Sequence, residues 1–207
     1  MSDLRRAVVG VIAAGLVVAG CGGVDHADRP QAQVAVAPPV TSPPVVRAGD
    51  VVPAGPPVVL PQPIDIPENS YAPEAVTQIG TMEIPKLKLV HPVYEGVTLN
   101  NIDLGPSHWP GTAEPGHVGN TVFAGHRVTH TSPFRHIDEL VAGDKVIFDV
   151  HGSRSSYHVT ETMVVDAADS WISDQTPTPT GTLYACHPPG SVSKRFVVRL
   201  ALDSPTA

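Results

Sequence analysis

Thr182-Leu183-Tyr184-Ala185-Cys186 ends a short apolar run at a thiol, and nine positions later Arg195-Phe196-Val197-Val198-Arg199-Leu200 begins another run with a guanidinium. Pro188-Pro189-Gly190 supplies a turn between them. Strands joined by such a loop pair antiparallel, so the end of the first lies beside the start of the second. A thiol and a fixed cation would then share one rim of a sheet. That pair suits attack on a carbonyl, with sulfur as nucleophile and the cation beside the oxygen that gains charge. His126 follows Gly125 at the end of another apolar stretch, Thr121-Val122-Phe123-Ala124, and brings acid–base chemistry to a strand end. A thiol is only a few per cent thiolate at neutral pH, and a neighbouring imidazole or guanidinium increases that share.

Spacing alone leaves two readings. In one, Cys186 is a nucleophile, His126 its acid–base partner and Arg195 the oxyanion-side group. In the other, Cys186 is a small buried hydrophobe, His126 caps a turn and Arg195 is solvated. His130 is a candidate to line the site, and Ala185 and His187 flank the thiol. Strand alternation turns His187 to the opposite face from Cys186, so it is read as a neighbour. Arg127 is read as an ion-pair partner or a solvated side chain, and Trp109 and Trp171 as core or loop anchors. The 10 histidines invite a metal reading. His126 and His130 are four apart but fall in a loop, with no glutamate between them to complete a zincin motif, so no metal and no cofactor is expected.

The elements that must hold these residues are short strands separated by turns. Gly80–Pro85 and Leu87–Val90 read as a strand pair with a proline-marked break, His91–Val97 as another strand and turn, and Asn100–Gly105 as one helical turn. Thr121–Ala124, Lys145–Val150, Tyr157–Val165 and the two runs around Cys186 and Arg195 read as further strands. Ser132 as N-cap and Pro133 at the first helical position predict a helix over 131–140. Residues 166–179 read as a polar loop. Many strands and little helix indicate an all-β barrel or sandwich.

The chain has 207 residues, of which 23 are proline, and a net charge of -7, which argues against non-specific nucleic-acid binding. Arg5 and Arg6, then the apolar run Ala7–Ala19, fit a signal peptide over residues 1–20 that is too short for a comfortable membrane span. Residues 21–78 read as a Pro-rich disordered linker, partly polyproline II, and residues 79–203 as the ordered domain. Of the 2 cysteines, Cys21 sits beside the leader and Cys186 in the domain, so each is read as having a separate job rather than as a disulfide.

At several of these points the chain resembles known families. Val18-Ala19-Gly20-Cys21 resembles the lipobox of bacterial lipoproteins, which implies lipidation of Cys21, a membrane anchor and an extracytoplasmic, cell-envelope location. Thr121–Arg127, Ser132-Pro133-Phe134, Asp138-Glu139-Leu140 and Gly143-Asp144 resemble the histidine segment of Gram-positive sortases. Thr182–Cys186 and Arg195–Val198 resemble their cysteine and arginine segment. Ile84-Pro85, Val93–Gly96, His108–Thr112 and Gly119-Asn120 resemble their upstream strands. The nearest likeness is to class E, the actinobacterial housekeeping type, over about residues 80–202. The resemblance implies an eight-stranded β-barrel cysteine transpeptidase. It implies cleavage of an LPxTG-like sorting motif between Thr and Gly, on surface proteins carrying a C-terminal sorting signal. It also implies transfer to an amine, from a peptidoglycan precursor or a pilin lysine. By position it makes Cys186 the nucleophile, His126 the acid–base group and Arg195 the substrate-positioning and oxyanion-stabilising group. Ala185 departs from the threonine common before the cysteine. A cysteine hydrolase and a non-catalytic cell-wall-binding lipoprotein stand as alternatives.

Overall fold

β-Branched and aromatic residues alternating with polar ones give each strand one face to bury. In β5, Lys145–Val150, the residues Val146, Phe148 and Val150 face inward while Lys145 and Asp149 are exposed. In β1, Thr77–Ile84, the buried residues are Ile79, Met82 and Ile84, which do not share one parity. A bulge between Gln78 and Gly80 accounts for the phase change. A second bulge, between Val159 and Glu161 of β6 (Ser153–Asp166), accompanies a change of face. Tyr157 and Val159 lie in the main core, whereas Val165 packs in a separate small cluster with Val197 and Ile172.

The structure is a computed structural model that describes residues 57–204. The leader, Cys21 and the linker through residue 56 lie outside those residues. The remaining strands are β2 (Leu89–Glu95), β3 (Ser107–His108), β4 (Gly119–Ala124), β7 (Pro179–His187) and β8 (Lys194–Leu202). The eight strands close into a barrel in the order β1-β2-β3-β4-β7-β8-β6-β5. β2 with β3 and β4 with β7 are parallel pairs, and the other neighbours are antiparallel. Inside, Phe123 stacks on Phe148 at 5.0 Å between ring centroids, and Phe148 meets Tyr157 edge-on at 5.4 Å. The buried Tyr157 hydroxyl accepts the Gly116 amide at 2.7 Å, which satisfies its polar end.

Three sequence expectations change. Leu87–Val90 and His91–Val97 are not two strands: β2 runs unbroken from Leu89 to Glu95 along β1. The proline-marked break before it is present, as a 3-10 turn over Pro85–Leu87 that ends with Lys88 in the left-handed region at φ 52°. The helix expected over 131–140 is absent, apart from a 3-10 turn at Ile137–Glu139. Ser132 is no N-cap, because its φ is 44°. The buried residues Phe134, Ile137 and Leu140 recur every three positions, which suits 3-10 turns rather than an α-helix. The single helical turn near residue 100 is present as α1, Leu99–Ile102.

The linker was read through residue 78, yet its last part is tied to the barrel. Trp109 donates its indole N–H to the Ile64 carbonyl at 2.7 Å, and the Ile64 amide donates to Pro110 O at 3.0 Å. The Glu74 carboxylate accepts the Val97 amide at 3.0 Å, the Thr98 amide at 2.9 Å, the Thr98 hydroxyl at 2.7 Å and Asn101 Nδ2 at 3.0 Å. Residues 57–76 thus form a strap along the outside of the barrel.

Burial alone would raise the Glu74 pKa, but these donors outweigh it and hold it below the ordinary 4.5. A depressed pKa stabilises the fold above the ordinary value, and that contribution is lost as pH falls through the depressed one. Glu74→Ala is therefore expected to cost about 1–3 kcal/mol at pH 7 in urea denaturation. The difference between wild type and variant should shrink as pH falls below the ordinary 4.5 and through the depressed value. An unchanged difference at low pH would show that the charge is not what holds the strap.

Candidate active site

β4 and β7 run parallel, so they end at the same rim, and β8 runs antiparallel to β7, so it begins there. Cys186 pairs directly with Arg195, and His187 with Lys194. On the other side of β7, Ala124 pairs with Tyr184, and the Gly125 amide donates to Tyr184 O at 3.1 Å. His126 is the next residue and reaches the rim beside the thiol. A cavity of about 170 Å³ opens there, lined by His126, Cys186 and Arg195 together with Ile66, Leu99 and Tyr184. The three residues singled out by type and spacing line one cavity.

Their neighbours fix how each is held. His126 Nε2 lies 2.7 Å from Asp103 Oδ1, so the imidazole's hydrogen bond runs to a carboxylate rather than to the thiol. Asp103 caps the C-terminus of α1 and was not singled out in the sequence, being 23 positions from His126. His130 stacks on His126 at 5.0 Å between ring centroids, and its Nδ1 lies 3.4 Å from the same carboxylate oxygen. Tyr71, from the strap, donates its hydroxyl to Asp103 Oδ2 at 3.1 Å. Arg195 donates through one guanidinium nitrogen to Val192 O at 2.8 Å and to Lys194 O at 3.1 Å, which anchors the side chain in its own loop. Cys186 is a free, half-buried thiol.

Ala185 points into the main core, yet it also lines the cavity. His187 accepts from Arg127 at 2.8 Å. Arg127 is buried, pairs with Asp138 at 2.6 Å and lies 5.7 Å from the centre of the Phe196 ring, so it is an ion-pair partner. Burial pushes the Tyr184 phenol up to about 12, with Arg195 pulling it down and Cys186 pushing it up, so it stays neutral next to the thiol. Tyr184, Arg195 and Ile66 also line a second cavity of about 200 Å³ that extends along Trp109 and Ile172.

A family model for the sortase domain matches residues 82–203. The chain belongs to the sortase family. It is similar to sortase D of Bacillus subtilis, 28% identical over 195 residues that cover 91% of this chain and 93% of the relative. Sortase A from Corynebacterium diphtheriae superposes with a TM-score of 0.60 at 25% identity, over 64% of this chain and 63% of that one. A crystal structure of sortase E1 from Streptomyces coelicolor with a tripeptide in the active site superposes with a TM-score of 0.57 at 25% identity, over 62% of this chain and 89% of that one. The sortase barrel expected from the sequence is the fold found. Sortases are cysteine transpeptidases of the cell envelope, and this chain is one of them. Among the described residues, no helix is long and apolar enough to cross a membrane.

The placement of His126 depends on Gly125. A Cβ there would sit 2.5 Å from the buried Phe134 ring, whose own amide is bonded to His126 O at 3.0 Å. Gly125→Ala should cost about 1–3 kcal/mol by overpacking and displace His126 from the rim. Thermal melts measure the first effect. A fall in peptide-cleavage rate beyond what the lost folded fraction accounts for measures the second.

Proposed function

We propose that this sortase uses Cys186 as nucleophile, His126 as acid–base group and Arg195 as oxyanion-side donor on an LPxTG-like sorting motif. The observation that supports it best is the direct ladder pairing of Cys186 with Arg195, with His126 lining the same cavity. The Cys186 thiolate attacks the carbonyl carbon of the motif's threonine, and the oxyanion forms beside the Arg195 guanidinium. As the C–N bond to glycine breaks, His126 gives a proton to the departing amine, leaving a thioester on Cys186. An incoming amine then attacks that thioester and loses a proton to His126. A new amide forms, and the sulfur leaves as thiolate. Asp103 fixes the imidazole ring during both transfers. The half-buried Tyr184 and the adjoining 200 Å³ cavity offer apolar wall to a peptide entering beside the thiol, and a similar sortase E1 holds a tripeptide in its active site.

The acceptor is read as an amine of a peptidoglycan precursor or a pilin lysine. The membrane attachment is read as a lipid on Cys21, on the strength of Val18-Ala19-Gly20-Cys21, with the Pro-rich linker as a stalk. The likeness to class E rests on the motifs quoted above.

Incubation with an LPxTG peptide should give a mass increment on the wild-type chain that Cys186→Ala lacks. Addition of a short glycine peptide should convert the thioester to ligated product, whereas release of free acid alone would indicate a hydrolase. Arg195→Ala should lower kcat/KM about 10²- to 10³-fold, the usual cost of losing an oxyanion donor. Turnover that survives Cys186→Ala would end this assignment of roles.

A further inference from the structure

We propose that Asp103, His126 and His130 form a binding site for a divalent transition ion such as Zn²⁺, and that filling it withdraws His126 from the reaction. One carboxylate oxygen and one nitrogen from each ring lie within 4.8 Å of one another. A tetrahedral zinc with bonds of about 2.0–2.2 Å sets adjacent ligand atoms roughly 3.3 Å apart. The edge from Asp103 Oδ1 to His130 Nδ1 is already 3.4 Å. The edge to His126 Nε2, at 2.7 Å, has only to open slightly. The stacked rings turn a nitrogen each toward that one oxygen. The His130 side chain is 45% exposed, so it can swing and also leaves a path of entry.

The surroundings fit a metal ligand set. The second oxygen of Asp103 is held by Tyr71, as ligating carboxylates commonly are. Two imidazoles and one carboxylate select zinc, copper or nickel over calcium or magnesium, which take oxygen ligands. Three protein ligands leave a fourth position open, and the soft Cys186 sulfur lines the same cavity as His126. The sequence offered no metal motif because the third ligand lies on a helix end far away in the chain. Metal binding stands on this geometry alone; the loss of activity rests on the transpeptidase reading.

Zinc is titrated against a chromophoric chelator into the full chain carrying Cys21→Ser and Cys186→Ala, so that neither thiol competes. One ion per chain is expected. His130→Ala and Asp103→Asn should each raise the Kd at least tenfold, while His136→Ala, at an exposed pair with Glu139, should leave it unchanged. Binding that ignores both His130→Ala and Asp103→Asn overturns the site. With Cys186 intact, one equivalent of zinc should suppress thioester formation on an LPxTG peptide, and EDTA should restore it. Acylation unaffected by bound zinc overturns the inhibitory role. A chain that forms no thioester even without zinc counts against the transpeptidase reading, and the titration still decides the site.

Discussion

The register of the mixed ladder β4-β7-β8 is the constraint on which the site depends. A one-residue slip between β7 and β8 would exchange the faces of every β7 side chain. Leu183 and Ala185 would leave the main core, and Cys186 would enter it. The apolar pattern of Leu183, Ala185, Val198 and Leu200 therefore specifies where the sulfur goes, although none of these residues does chemistry. The parallel β4–β7 pair adds the second requirement, because only parallel neighbours end together. The connection through β5 and β6 is what allows it.

Polar brackets on the outside of the barrel hold the loops against this ladder. The buried Thr182 hydroxyl donates to Asn120 Oδ1 at 2.9 Å and accepts from Arg199 at 2.6 Å. Asn120 Nδ2 in turn donates to Ile172 O at 3.0 Å and Asp174 O at 3.2 Å, so the segment between β6 and β7 is pinned to β4 and β7. Arg199 also donates to Ile172 O and lies 5.3 Å from the centre of the Trp171 ring. Beyond the end of β4, Arg127 does the equivalent work, joining Asp138 to His187 with Phe196 beneath it. Removing one member of such a network strands the rest, although Arg127 Nε is itself buried without a partner.

Features encoded by short-range pattern were legible in the sequence, and features that depend on distant partners were not. The meeting of Cys186 with Arg195 follows from two apolar runs and a proline-glycine turn, all local. His126 was legible because a glycine and a histidine closing an apolar strand place the ring at a strand end. Asp103 was not, because its role is set by the approach of α1 to the end of β4 across the barrel surface. The expected helix over 131–140 failed for a tertiary reason. Phe134 inserts beneath Gly125 and its amide bonds to His126 O, which requires His130 and Ser132 to take left-handed backbone that no helix contains. The strap was hidden by its prolines, which forbid regular structure yet leave carbonyls and side chains free to bond elsewhere.

The strap also changes what counts as the site. Ile66 forms part of the wall of both cavities at the rim, Tyr71 bonds the carboxylate that holds His126, and Glu74 grips the residues around α1. Three residues of one irregular segment thus touch the rim cavities, the partner of the imidazole and the base of the helix that carries that partner. The walls of the rim cavities in this sortase therefore depend on hydrogen bonds outside the barrel, on a segment that composition alone marks as a spacer.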